Sequence, residues 1–191
     1  MLTSSTAFCP PAAWCLAAVR TGSWQWEAHE NYQKGGWRNR CRIASANGPV
    51  LLSVPLAGGK HRQQSVRAVR IDHRSDWQRQ HEQSLRSAYG RAPYFEFYAE
   101  EVFRALHRRE TFLWDYNWHI ARELLSLLRL PVDLGSTGTF AGADGTNAPD
   151  PSGLPSYPQV FTDRFGFVDG LSILDALFCL GPEFATLAAR G

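Results

Sequence analysis

Arg38-Asn39-Arg40-Cys41-Arg42-Ile43, then Asn47-Gly48, then Val50-Leu51-Leu52-Ser53-Val54-Pro55-Leu56 reads as two strands joined by a turn. Asn-Gly is a strong short hairpin signal because both residues accept positive φ. The strands expected are Asn39 to Ala44 and Val50 to Leu56, with Pro55 at an end or edge because it cannot donate to a ladder. Alternation sorts the first strand: Arg38, Arg40 and Arg42 project to one face, Asn39, Cys41 and Ile43 to the other. Ile43 marks its own face as the inner one. Cys41 then reads as a small buried side chain, unless that face also walls a cleft, where it becomes a candidate nucleophile. The arginine face needs carboxylates or an anionic ligand to answer it.

Working outward, Trp24-Gln25-Trp26-Glu27-Ala28 alternates as a half-buried strand does. Ser4 to Phe8 and Val66 to Ile71 are further strand candidates, and Pro11 opens a helix through Trp14, Leu16 and Val19. The second half is helical. Ser75 and Gln78 form a capping box for a helix ending at Tyr89, before Gly90 and Pro93. Tyr98, Val102, Phe103 and Leu106 make a stripe on the next helix, and Phe112 to Leu128 is the longest. Pro131 to Pro158, rich in Gly, Pro, Ser, Thr and Asp, reads as a long loop, mobile over 131–156. Tyr157 to Phe161 follows as a strand and Leu171 to Phe178 as a short apolar helix stopped by Gly181-Pro182. The expectation is one α+β domain over 1–191. Its mixed or antiparallel sheet comes from the N-terminal half and is packed by helices of the C-terminal half.

A chain of 191 residues with 44% apolar and 20% charged residues is of the size and composition of one globular domain. Its net charge of +2 gives no overall field for a polyanion, so any phosphate must meet a local cluster. Lysine occurs only at Lys34 and Lys60, and arginine supplies the rest of the positive charge. Cys9, Cys15, Cys41 and Cys179 show no CxxC spacing and no His/Cys ligand cluster, which points to a reduced, cytoplasmic protein without metal or cofactor. No apolar run is long enough to span a bilayer, and Pro10-Pro11 interrupts the one apolar stretch near the N-terminus.

The histidines offer two proton acceptors. His29 begins a polar run, His29-Glu30-Asn31-Tyr32-Gln33-Lys34, at a strand end, where it either tends a site or ties down a loop. His81 shares a helix face with Trp77, Leu85 and Ala88, as a core histidine or a base lining a pocket. The other histidines, His61, His73, His107 and His119, read as surface or loop residues. Asp175 lies among Leu174, Leu177 and Phe178 and needs a partner, for which an arginine of the central motif would serve. Gly-rich phosphate loops, GxSxG, HExxH and paired-carboxylate signatures are absent.

The run from His29 to Lys34, Arg38 to Cys41, Asn47-Gly48-Pro49 with Val54-Pro55, Trp77…His81…Ser84…Tyr89…Pro93-Tyr94-Phe95, Tyr157 to Phe161, and Leu171 to Asp175 with Gly181-Pro182 together resemble the WbqC-like protein family. Two features depart from it: Cys9-Pro10-Pro11 begins late, and Pro131 to Ser156 is long and glycine-rich. Members of that family resemble gene products of bacterial O-antigen and other surface-polysaccharide clusters. The resemblance implies an acyl or aminoacyl (glycine-type) transferase acting on an amino sugar or nucleotide sugar. The acyl donor is open, with aminoacyl-tRNA one option. On this reading His29, His81 and Cys41 are the catalytic candidates. Asn31, Gln33, Lys34, Arg38, Asn39, Arg40, Tyr89, Gln159 and Asp175 are the substrate-binding candidates. The alternative is a non-catalytic module that binds a glycan precursor or a partner enzyme.

Overall fold

Trp24 and Trp26 lie on one face of β2 (Ser23–Trp26) and are wholly buried, whereas Ser23 and Gln25 are half-buried. Alternation therefore holds from Trp24 to Trp26 but stops at the strand's end, where Glu27 and Ala28 are both buried. The computed structural model describes residues 1–58, 64–141 and 148–187. β1 (Leu2–Ser4) runs parallel to β2, which requires a crossover, supplied by α1 (Ala12–Thr21). Gly22 ends α1 in the left-handed region at φ 72°, where its N–H reaches the Ala18 carbonyl at 2.8 Å. The first strand is thus Leu2–Ser4 and not Ser4 to Phe8, because the chain leaves the sheet after Ser4 toward the Pro10-Pro11 start of α1.

The third strand of this sheet comes from within the expected loop. β5 (Asp133–Ser136) pairs parallel with the other edge of β2, Ser23 opposite Asp133 and Trp26 opposite Ser136. The Gln25 side-chain amide lies over Gly135, in the space a Cβ there would take. Trp26 also packs edge-on against Trp24, Trp114 and Trp118, tying the sheet to the long helix that follows.

The hairpin forms a separate two-stranded sheet. β3 (Arg40–Ile43) and β4 (Val50–Ser53) pair antiparallel, Cys41 opposite Leu52 and Ile43 opposite Val50. Cys41 and Ile43 are wholly buried; Arg40 and Arg42 are half-buried on the other face. The connection is a six-residue loop and not a two-residue turn. Gly48 takes φ 101°, but Asn47 does not adopt positive φ; Ser45 organises the loop through its carbonyl, which accepts the Gly48 N–H at 3.1 Å. Val66 to Ile71 is not a strand either. Ser65 caps a single 3₁₀ turn, Val66–Ala68, and only isolated bridges follow, Arg70 to Phe112 and Ile71 to Leu56.

After the hairpin come α2 (Trp77–Tyr89), α3 (Phe95–Leu106), α4 (Leu113–Leu127) and α6 (Ile173–Leu180), with the short α5 (Thr162–Phe165) before the last. Helix α3 packs on α2, α4 and α6, and α1 lies against β1 and β2. The final described turn is α7 (Phe184–Leu187). Tyr157 to Phe161 is not a strand; it is an irregular segment that leads into α5. Every residue of α6 is buried, as expected of a helix that is apolar all round. The Ser75/Gln78 capping box does not form: Asp76 precedes the first turn, and Gln78 instead donates to the Leu106 and Arg108 carbonyls at 2.7 and 2.8 Å. The architecture is α+β around a single apolar core. No helix among the described residues is long and apolar enough to cross a membrane.

Candidate functional site

The segment after β2 alternates again, outside any strand. His29, Asn31, Gln33 and Lys34 are exposed, while Glu30 and Tyr32 are buried. Extended pairing with the chain at 64–66 holds it, the Tyr32 N–H reaching the Gln64 carbonyl at 2.8 Å and the Val66 N–H the Glu30 carbonyl at 3.0 Å. The buried members are then locked by their side chains. Arg38 Nε donates to Glu30 Oε1 at 2.9 Å, and Arg38 Nη2 to Glu30 Oε2 and to Ser5 Oγ at 2.7 Å. Such a fork-on-carboxylate pair is both strong and directional. Tyr32 Oη donates to Asn39 Oδ1 at 2.8 Å, and Asn39 Nδ2 to the Val54 carbonyl at 2.9 Å. From beneath, Asn117 of α4 donates to the Arg38 carbonyl at 2.7 Å. Glu30, Tyr32, Arg38 and Asn39 are thus the frame, and the residues between them are what it displays.

The frame sits where β1, β2 and β5 end, the carboxyl edge at which parallel sheets place ligands. Glu27 closes that edge. Its Oε1 accepts the His29 N–H at 2.7 Å and the Thr137 hydroxyl at 3.0 Å, and its Oε2 accepts the Ala141 N–H at 2.7 Å. Burial pushes the Glu27 carboxyl up, but the Ala141 and His29 amides, the Thr137 hydroxyl and the His29 ring together hold it below the usual range. The same clamp orients His29. Its Nε2 lies 3.1 Å from the Thr137 carbonyl, which can only accept, so the neutral ring carries its proton there and keeps Nδ1 as the acceptor.

The other catalytic candidates lie elsewhere. Cys41 is wholly buried beside Cys9, whose backbone takes the left-handed φ of 42°. Burial raises the Cys9 thiol well above its ordinary value, and its hydrogen bond with Cys41 adds to that. His81 is buried between Phe8 and Trp77, its ring centroid 5.7 and 5.1 Å from theirs. Burial pulls its pKa down to about 4, against a hydrogen bond with the Ser53 backbone. It is therefore uncharged at neutral pH. Of the remaining histidines, His73 and His119 are half-buried, His107 is exposed, and His61 lies outside the described residues, as does Lys60.

With that geometry in view, comparison with known families is decisive: a model of the WbqC-like protein family matches residues 7–150. The chain belongs to that family. No curated protein and no solved structure matches it. The WbqC-like match contains His29, Cys41, His81, Tyr89 and the whole frame around Arg38, and it ends before Gln159 and Asp175.

Those last two residues form a second polar cluster, buried behind the hairpin. Asp175 of α6 is wholly buried; its Oδ2 accepts from Tyr157 Oη at 2.7 Å and from Gln159 Nε2 at 2.9 Å. Tyr89 adds a further hydrogen bond to the carboxyl, and its hydroxyl accepts the Ala44 N–H at 3.0 Å. The expected arginine partner is not there: among the described residues Asp175 makes no ion pair, and neutral donors answer it. Burial pushes its pKa up, against the hydrogen bonds of Tyr157, Tyr89 and Gln159. Among the described residues no group of three His, Cys, Asp or Glu is placed to hold a metal.

Glu27, Ser5, Thr137, Asn117 and Tyr157 carry no site role in the sequence reading, which has Glu27 and Tyr157 only as members of strands or motifs. Each acts through a partner far along the chain, up to 114 residues away for Glu27 and Ala141, and nothing local marks such a pairing.

Proposed function

We propose that this WbqC-like chain is an acyl or aminoacyl (glycine-type) transferase that forms an amide on an amino sugar or nucleotide sugar in bacterial O-antigen or surface-polysaccharide synthesis. The observation that carries the reading is His29: an exposed imidazole, oriented by the Thr137 carbonyl, with Nδ1 as acceptor beside the displayed Asn31, Gln33 and Lys34. Amide formation needs that arrangement. The sugar amine attacks the acyl carbonyl, Nδ1 takes the amine's proton, and the tetrahedral oxyanion collapses by expelling the donor's leaving group. Asn31 and Gln33 supply neutral donors. Lys34 and Arg40 supply positive charge for the oxyanion or a pyrophosphate.

The test is mass spectrometry of the purified chain with candidate sugar amines and activated acyl donors, aminoacyl-tRNA included. A mass gain of one acyl residue on the sugar is expected. His29→Ala is expected to lower the rate about 100- to 10,000-fold, the range for a positioned acid–base group, while leaving the fold intact. Full activity in His29→Ala defeats the histidine mechanism.

A second reading has an observation of its own. Arg38 is consumed by Glu30, but Arg40 Nε is buried without a hydrogen-bond partner among the described residues. A non-catalytic module that grips an anionic glycan precursor through Arg40 would use it. Binding without turnover, weakened in Arg40→Ala, would identify that role.

A further inference from the structure

At the opposite end of β3, about 10 Å from Arg40 by strand rise, an open groove of about 500 Å³ separates the hairpin from α2. Gln80, Gln83, Ser84 and Ser87 of α2 face Ser45 and Asn47 of the hairpin loop across it. Ile43, Val50 and Ala88 supply apolar floor between these two polar walls. Among the described residues, every one that lines the groove is uncharged, in a chain where one residue in five carries a charge.

The walls are set in advance. Ser45 Oγ donates to the Gly48 carbonyl at 2.5 Å and the Gly48 N–H to the Ser45 carbonyl at 3.1 Å, closing the loop on itself. Arg164 Nη1 donates to the Ala46 carbonyl at 2.6 Å, and the Ala44 N–H to Tyr89 Oη at 3.0 Å, pinning the loop to α5 and α2. A preformed site loses less on binding than one that must order itself.

This lining selects its ligand by what it lacks and what it repeats. A phosphate or carboxylate entering it would shed water and meet no cation among the lining residues, the Arg164 guanidinium being engaged by the Ala46 carbonyl. A purely apolar ligand would strand the side-chain amides of Asn47, Gln80 and Gln83, whereas the Ser45 and Ser84 hydroxyls already donate to carbonyls of the chain. Side-chain amides both donate and accept, as sugar hydroxyls do, and an apolar strip between them suits the C–H face of a sugar ring. We propose that this groove is a binding site for an uncharged saccharide, separate from the His29 loop. Neither the transferase reading nor its failure bears on it: saccharide in the groove without any transfer would still support it.

The experiment is nuclear magnetic resonance titration of the full chain, isotope-labelled, with uncharged mono- and disaccharides, N-acetylglucosamine and its dimer among them. Inorganic pyrophosphate is the contrasting probe. Amide and side-chain amide signals of Asn47, Gln80, Gln83 and Ser84 are expected to move with saccharide and to stay still with pyrophosphate. Gln80 and Gln83 are exposed, so Gln80→Ala/Gln83→Ala is expected to keep the wild-type spectrum elsewhere and to bind about tenfold more weakly. The proposal is overturned if no saccharide shifts the groove, if pyrophosphate does, or if the double variant binds as tightly as the wild type.

Discussion

Two regions of this molecule bury acidic groups, and they treat them in opposite ways. At the carboxyl edge of the parallel sheet, Glu30 is met by the Arg38 guanidinium, charge against charge, with Ser5 in support. Behind the hairpin, Asp175 is met by two phenols and an amide, and burial drives it toward its neutral form. His81, in the same interior, is likewise driven to neutrality. The edge is built from ions, which give direction and rigidity to the residues they frame. In the interior, burial drives Asp175 and His81 toward their uncharged, hydrogen-bonding forms.

Breaking the ionic region should cost most. Arg38→Met leaves Glu30 buried without its cation, and a loss of about 3–5 kcal/mol is expected from urea unfolding at pH 7. A loss below about 1 kcal/mol would mean that water reaches Glu30, and the contrast would collapse. The interior should reveal itself through pH. His81 has its ordinary value of 6.5 when unfolded and about 4 when folded, so the unfolded chain binds the extra proton between them. Its contribution is therefore intact above pH 6.5 and is lost as pH falls toward 4, about 3 kcal/mol in all. His81→Leu should flatten that fall, measured as unfolding free energy against pH. The smallest effect belongs to Asp175→Asn, within about 1 kcal/mol at about pH 3, below the ordinary carboxylate value that burial raises further, where the wild-type carboxyl is protonated. Asp175 has a folded pKa above its unfolded value, so its contribution is full below the unfolded value and is lost as pH rises through the folded one. Asp175→Asn should therefore gain on the wild type as pH increases above 4. A variant that instead falls behind would place Asp175 with Glu30, as an ion.

What could be read from the sequence was what neighbours along the chain decide. Cys41 and Ile43 alternate with Arg40 and Arg42, so the buried face of β3 was legible. The stripe Trp77, His81, Leu85, Ala88 placed one face of α2 inward in the same way. Val66-Arg67-Ala68-Val69-Arg70-Ile71 misled because its β-branched residues suit a strand, whereas the buried positions, Val66, Val69 and Ile71, are spaced by a 3₁₀ turn that leads into isolated bridges. β5 was hidden because Asp133-Leu134-Gly135-Ser136 carries no apolar alternation; its reason for being a strand is the exposed edge of β2. Of the site, the run from His29 to Arg40 was legible as a unit, but not its division into frame and display. Glu30 and Arg38 are eight residues apart and become partners only through the turn between them, and Asp175 finds Tyr157 across eighteen.

The bond from Ala141 to Glu27 spans 114 residues, and the Thr137 carbonyl that orients His29 arrives with it. Contacts of such separation are formed late, because the entropy of closing the intervening chain must be met before they return anything. A growing polypeptide therefore carries its identifying run, His29 to Ile43, long before that histidine has a fixed tautomer. A nascent or truncated chain ending short of residue 133 would keep the run from His29 to Ile43 and lack the Thr137 carbonyl, so the His29 ring would be held in place only once the last strand of the sheet has paired.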